Sequence, residues 1–456
     1  MRFNLGNEQV EFRDEDIIEA SLVQEIHPLS IELPISTATI RIRTTDNRFS
    51  PFSNGSFYQS LSANAAADIW EHALDTEHFL GRFYIQDWHN PIEGEFEFAC
   101  YDIIGYLDTI PYDGSFWENP TPLFTILSFI LDPLNVSWEV DPALGNKLLK
   151  GYLPGGENVS TRQTLQALLF AAGAYATTAK STKLQIKSLT LPNSETVIPN
   201  ILTDADKVAE QKVTVLPMVT GITILSHDYA KSTTEEDIYS AILEPGYYKI
   251  IFQKPFWEIT PTGAGDIPTA LGLEDGSGFL ATENSVNWGN CALIAISGEF
   301  EFGPNSIFLT VLETGEVSIK GKPWLDSVRS FSWENPDAIK DYSAGAKYGT
   351  AKYGTAKYAR VWNTYATPNV WQVENARMVT ADEAETVLDK LVNYANLRYQ
   401  HNVTLFPRFD TEPGDLKLAD SLYNKKINGV VEKMRSDLTG GFLIEVDLVG
   451  AEKKGN

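Results

Sequence analysis

The sequence predicts a mainly β (α+β) protein, and three observations carry that expectation. Runs alternating apolar and polar residues with period two occur near both ends of the chain, and helical periodicity is confined to three stretches. The length of 456 residues, at about 150 residues per domain, suggests roughly three domains. Near the N-terminus, residues 40–43 and 95–100 alternate and read as half-buried strands, with Phe96, Phe98 and Cys100 on one inner face. Thr121 and Pro122 then open a helix through Phe124, Ile126, Leu127 and Ile130, with Pro122 near N1 and Pro133 ending it. Ser160 and Gln163 form a capping box for a second helix carrying Leu165, Leu168, Leu169 and Ala172, and a strand over 183–189 closes this small α/β unit.

Residues 200–330 return to strands, at 219–225, 247–253, 291–296 and 306–312, with spacings that suit a barrel or sandwich. The stretch 260–278 between two of them reads as an exposed loop. Residues 346–358 repeat Ala-Lys-Tyr-Gly-Thr with a period of five, and Lys347, Lys352, Lys357 and Arg360 make 346–360 a basic island without acids. A period of five fits neither a coiled coil nor a solenoid, so this is expected to be a loop that docks on an acidic neighbour. Thr380, with Glu383 completing a capping box, opens a third helix through Ala384, Val387, Leu388, Leu391 and Ala395. Strands at 402–406, 429–435 and 442–449 follow, separated by Pro413-Gly414-Asp415 and Gly440-Gly441 turns. The expected division is 1–111, 112–199, 200–335, a linker at 336–379, and 380–456.

Charge narrows the function. The net charge is −25, which repels phosphate backbones and argues against sequence-specific nucleic-acid binding. Residues 1–111 hold six arginines, no lysine and 19 acids, a net −13 that implies a solvated or channel-facing acidic surface. Cys100 and Cys291 are too few for a disulfide scaffold. The acidic N-terminus lacks a signal-peptide pattern and no run of about 18 apolar residues occurs, so no membrane insertion is expected.

Candidate chemistry is sparse, and no catalytic, cofactor-binding or metal site is assigned. His72 and His78, with Glu71, Asp75 and Glu77, are six apart, off the i, i+4 face that a helical zinc motif needs, and read as a solvated loop or helix end. Asp113-Gly114-Ser115 and Asp275-Gly276-Ser277-Gly278 read as turns rather than calcium loops. Cys100 is either an inert core thiol or the nucleophile of a cell-wall peptidase, and its inner-face position favours the core. Trp88, Trp117, Trp257 and Trp288 could stack on sugars, although core and subunit interfaces use the same residues.

The order of several segments resembles a family. Asp16-Ile17-Ile18-Glu19-Ala20, Ser30-Ile31-Glu32-Leu33-Pro34-Ile35-Ser36-Thr37-Ala38, Gly81-Arg82-Phe83-Tyr84-Ile85 and Tyr101-Asp102-Ile103-Ile104-Gly105-Tyr106-Leu107-Asp108 are similar to the N-terminal barrel of tail hub proteins from phages of Gram-positive bacteria. Pro413-Gly414-Asp415-Leu416, Ile427-Asn428-Gly429-Val430-Val431 and Asp437-Leu438-Thr439-Gly440-Gly441-Phe442 resemble that family's closing strands. These motifs cover about a third of the chain. The resemblance implies two tail-tube-like β-barrels, a small α/β domain and a homotrimer at the hub of a tail tip or baseplate. Its implied partners are the tail tube, distal tail or baseplate proteins and the tape measure protein, with DNA passing through without specific binding. It implies no enzyme activity and no cofactor. The chain ends at Asn456 without the long extension of many siphophage relatives, so lytic or receptor function is expected on another polypeptide. The basic repeat matches no motif of the family. The alternatives are a tail-associated cell-wall hydrolase and a carbohydrate-binding receptor protein.

Overall fold

The computed structural model describes the chain apart from residues 6–7, 28, 30–31, 45–48, 50–51, 53–57, 59–60, 74, 193–200, 209–210, 260–279, 282–285, 288–301, 304–305, 312–314, 341–360, 363–368, 375, 407, 440–441 and 454–456. The loop expected at 260–278, the strand at 291–296 and the Ala-Lys-Tyr-Gly-Thr repeat lie outside the described residues.

The protein is mainly β, and its largest sheet draws on both ends of the chain. Thirteen strands run in the order Lys212–Val215, Tyr399–Leu405, Leu443–Glu452, Lys426–Asp437, Ile17–Glu25, Thr37–Arg43, Glu95–Tyr101, Thr76–His89, Ala66–Ala73, Arg2–Leu5 and Glu8–Glu11, with Leu416–Asp420 and Ile201–Leu202 branching off Lys426–Asp437. The seam is antiparallel, with Ser21 opposite Asp437 and Glu25 opposite Lys433. The Lys433 ammonium lies 2.9 Å from the Glu25 carboxylate across it.

Two apolar clusters pack on the two halves of this sheet. The first contains Ile40, Ile42, Phe49, Phe83, Phe96, Phe98 and Cys100, and the alternation over Glu95–Tyr101 explains it, since every second side chain turns inward. The second contains Leu202, Val403, Leu405, Val431, Ile444, Val446 and Leu448.

The helical region has its own core, in which Leu123, Ile126 and Leu127 meet Leu165, Leu168 and Leu169, and Ala384, Val387 and Leu391. The helix Thr161–Ala172 carries the expected box, with Ser160 and Gln163 exchanging both capping bonds. It ends at Gly173, whose φ of 66° is the left-handed conformation that glycine adopts cheaply. Lys147 Nζ donates to the carbonyls of Ala171 and Ala172 in the last turn, at 2.9 and 3.1 Å.

Two helix starts differ from expectation. Pro122 is the N-cap of Leu123–Leu131 rather than N1, and the Leu123 amide is bonded instead by the carbonyl of Lys147, at 2.8 Å. Thr380 does precede Ala381–Ala395, but its side chain makes no cap bond. The turn is closed instead through the backbone, where the Thr380 carbonyl accepts from the amides of Glu383 and Ala384 at 3.1 and 3.0 Å. Asp102 caps a six-residue helix, Ile103–Asp108, accepting from the amides of Ile104 and Gly105. Six residues are too few for a helical period to register in the sequence.

The third region is a seven-stranded sheet built on the 20-residue strand Gly315–Glu334. Gly221–Lys231 runs antiparallel to its C-terminal half, from Gly221 opposite Glu334 to Lys231 opposite Trp324. Ile222 and Ile224 turn into the helical core, where the helix Ala381–Ala395 covers them. Further along the same strand, Tyr229 meets Phe116 and Tyr152 of the antiparallel pair Ser115–Pro122 and Leu148–Leu153.

Candidate functional site

The sequence candidates do not converge. His72 and His78 lie on a β-hairpin, not on a loop or helix end, because Ala66–Ala73 and Thr76–His89 pair across a tight turn in which Asp75 has a φ of 60°. The register sets His72 opposite Glu77 and Glu71 opposite His78, on alternate faces. Glu71 faces the N-terminal ammonium at 3.9 Å, and Glu77 pairs with Arg2. His78 bonds Thr76 and stacks on Phe409. Among the described residues no group of three metal-ligating side chains assembles.

Cys100 is 2% exposed, and burial pushes its thiol up to about 12, so it stays protonated and is a poor nucleophile. Asp113 pairs with Lys249, Gly114 has a φ of 93°, and Ser115, the first residue of the strand Ser115–Pro122, accepts at Oγ from the Tyr112 hydroxyl and the Trp117 indole at 2.6 and 3.1 Å. Trp117 is buried and Trp88 packs against the first core. Trp257 donates to the Ser232 carbonyl at 3.1 Å with Lys231 over its ring. Cys291, Trp288 and Asp275–Gly278 lie outside the described residues.

A cleft that sequence reading missed lies beside Trp257. The antiparallel pair Ser115–Pro122 and Leu148–Leu153 supplies Phe116 and Trp117, with Tyr152 beside Phe116, while the antiparallel pair Gly221–Lys231 and Gly315–Glu334 supplies His227, Tyr229 and Trp324, with Asp326 against His227. Phe116 stacks on Trp324 with centroids 4.2 Å apart and meets Tyr229 edge-on at 5.4 Å. Edge-to-face and offset contacts of this kind add stability beyond the area they bury. Phe116, Trp117, His227, Tyr229 and Trp324 border a cleft of about 230 Å³, with Glu118, Lys150, Asp228 and Thr380 also on its wall.

The polar chemistry of the cleft is incomplete within the protein. His227 Nδ1 lies 2.8 Å from Asp326 Oδ2, a pairing in which the ring nitrogen donates to the carboxylate. His227 Nε2, the Tyr229 hydroxyl and the Trp324 indole N–H are all buried without a hydrogen-bond partner. Burial holds the Tyr229 phenol protonated, with Asp326 adding to the effect. Each such orphan costs about 1–3 kcal/mol. The His–Asp arrangement matches two members of a hydrolytic triad, yet no hydroxyl or thiol among the described residues is bonded to Nε2. The signal that could have found this site is the spacing of two, His227 with Tyr229 and Trp324 with Asp326, on strands that face one another.

A second cavity, of about 580 Å³, lies between the helix Thr161–Ala172 and residues 376–377. Arg162 and Arg377 border it, and Arg162 Nε is tied to the Leu33 carbonyl at 2.6 Å.

The architecture defines a class: a mainly β protein whose two chain ends share one sheet and whose middle holds a helical unit and a second sheet. The fold is that of the tail protein from Neisseria meningitidis MC58, which it matches over 98% of this chain and 95% of that one, with a TM-score of 0.51 and 8% identity. The prophage MuSo2 43 kDa tail protein from Shewanella oneidensis aligns over 98% of this chain and 97% of its own, at a TM-score of 0.48 and 9% identity. Prophage tail protein gp18 from Listeria monocytogenes EGD-e aligns over 98% and 93%, at 0.46 and 9%. No protein-family model matches the chain, and no curated protein matches it in sequence. At such identities the likeness is one of fold. Among the described residues no helix is long and apolar enough to cross a membrane.

Proposed function

We propose that this chain is a structural protein of a phage tail or phage-like particle, the hub that joins the tail tube to the tip and lines the channel for genome passage. The observation that carries this reading is the fold it shares, end to end, with the Neisseria meningitidis tail protein. A fold alone hosts many functions, so charge supplies the second support. Residues 1–111 carry a net −13, and an acidic lumen repels phosphate and lets DNA slide without sticking.

The hub is a homotrimer in the virion tail, made without enzymatic activity of its own, with the tube, distal tail or baseplate and tape measure proteins as its partners. The 1–111 and 200–335 segments each contribute a tube-like barrel in this reading. Quantitative mass spectrometry of particles pelleted from a lysing culture tests it. About three copies of the chain per particle, against several per ring for the tube protein, is the expected result. A chain that stays in the soluble fraction overturns the proposal.

A further inference from the structure

The long strand Gly315–Glu334 is not used evenly. Ser318 and Ile319 have a partner strand on each side, Glu236–Leu243 and Val286–Asn287, whereas beyond Trp324 only Gly221–Lys231 is paired with it. The Ser232 amide donates to the Pro323 carbonyl and the Asn335 amide to the Thr220 carbonyl, both at 3.0 Å, and the register between these ends is unbroken. Odd-numbered residues therefore turn their backbone groups toward Gly221–Lys231, and even-numbered ones turn theirs away. The Trp324 amide, which donates to the Pro255 carbonyl at 2.9 Å, obeys the same rule. Past it, the backbone groups of Asp326, Val328, Ser330 and Ser332 point from an open edge, and among the described residues no strand or backbone hydrogen bond reaches them there. Leu325 to Ser330 are all exposed, Leu325 and Val328 at 51% each.

Sheets ordinarily guard such an edge with a short strand, a proline, a bulge or a lysine. Lys212–Val215 and Glu8–Glu11, which end the thirteen-stranded sheet, are four residues long, one opening with lysine and the other bounded by glutamates. Residues 325–334 have no proline, glycine, lysine or bulge. We infer that this edge pairs two copies of the chain, antiparallel about a twofold axis at Ser330. That centre sets Ser330 opposite Ser330 and Val328 opposite Ser332 on either side, three pairs that exchange about six backbone hydrogen bonds. Arg329 then faces Phe331 and Ser327 faces Trp333, so no like charges meet over 327–333. Moving the centre to Arg329 would set two guanidinium groups against each other. Moving it to Val328 would bring Ser332 of the second copy to Trp324, where Pro255 already holds the edge. A single strand pair is a small interface, so it forms and dissociates with concentration. A twofold contact cannot join neighbours within a threefold ring, so the pair belongs to the free chain and stands apart from the tail reading.

The test is light scattering of the purified full-length chain over a dilution series, in which the mass should rise with concentration toward twice that of one chain. Ser330→Lys sets two ammonium groups face to face at the axis, and Ser330→Pro removes an outward amide that the ladder to Gly221–Lys231 does not use. Both should hold the mass at one chain over the same series, with Ser330→Lys melting like the parent. Oxidation should join Ser330→Cys into a covalent dimer, while Ser332→Cys, about 14 Å from its equivalent along the paired strands, should not crosslink. A parent of one-chain mass at every concentration overturns the inference, and so does an oligomer whose mass Ser330→Lys leaves unchanged. Failure of Ser330→Cys to crosslink, or crosslinking of Ser332→Cys as readily, overturns the twofold register. Should Ser330→Pro fail to fold, Ser330→Lys decides alone. None of these results touches the copy number in particles, which tests the tail reading.

Discussion

Ala20 and Thr439, separated by 419 positions in the chain, are joined by a 2.9 Å hydrogen bond from the Ala20 amide to the Thr439 hydroxyl. The Leu438 amide returns a 2.8 Å bond to the Ala20 carbonyl, so the pair locks the seam where the two ends of the sequence become one sheet. An amide deprived of its partner at such a seam loses about 1 kcal/mol. Thr439→Ala should therefore destabilise the protein by about that amount in chemical denaturation, and Thr439→Ser should restore it. Equal stability of the alanine and serine variants would remove the hydroxyl from the account.

That seam also marks how far the sequence could be read. Alternation placed Phe96, Phe98 and Cys100 inward, and Ser160 with Gln163 announced a helix, because both signals are local. Nothing local reports that Ser21 lies opposite Asp437. The His72 hairpin was missed for a different reason: Ala66–Ala73 mixes Asp, Trp, Glu and His, so its period of two is masked by charge. The candidate cleft needed strands 99 positions apart to bring His227 to Asp326, and only their register reveals it.

Glu432 predicts a pH dependence. Burial, with Asp447 adding to it, raises its carboxyl to about 7, although the Tyr394 hydroxyl donates to it and opposes the rise. A raised carboxyl binds its proton more tightly in the folded state than in the unfolded one, whose value is 4.5. Its contribution to stability is therefore full below about pH 4.5 and is lost as pH rises through about 7, on the order of 3 kcal/mol. Glu432→Gln retains an acceptor for Tyr394 and has no proton to lose. Melting curves between about pH 5 and 8 should show the parent chain losing more stability with rising pH than the variant; parallel curves would contradict the assignment.

Two glycines separate conformational strain from steric clash. Gly173 and Gly414 have φ of 66° and 95°, where a side chain is disfavoured. A Cβ on Gly173 would stand 2.2 Å from Lys390 Nζ, the far end of a flexible chain that can swing away. A Cβ on Gly414 would stand 2.1 Å from the hydroxyl of Tyr175, a buried ring that cannot. Gly173→Ala should cost about 1 kcal/mol and Gly414→Ala at least twice that. Denaturation midpoints of the two variants decide the order, and a Gly173 variant as damaged as the Gly414 one would show that Lys390 is held rigidly.

The proposed channel makes the remaining prediction. Asp14, Glu15, Asp87 and Glu93 are exposed, and the Glu15 and Asp87 side chains are 76% and 72% accessible, so their replacement by lysine should shift stability by no more than about 0.5 kcal/mol. Four such replacements change the local charge by eight units. A lumen that carries them would then attract the phosphates it now repels, and each contact with DNA would have to be broken as the genome advances. Particles assembled with the quadruple variant should eject DNA more slowly than the parent, and the delay should shrink as salt rises and screens the contacts. Ejection at the parental rate in low salt, from particles with the normal copy number of the chain, would place these acids away from the DNA path.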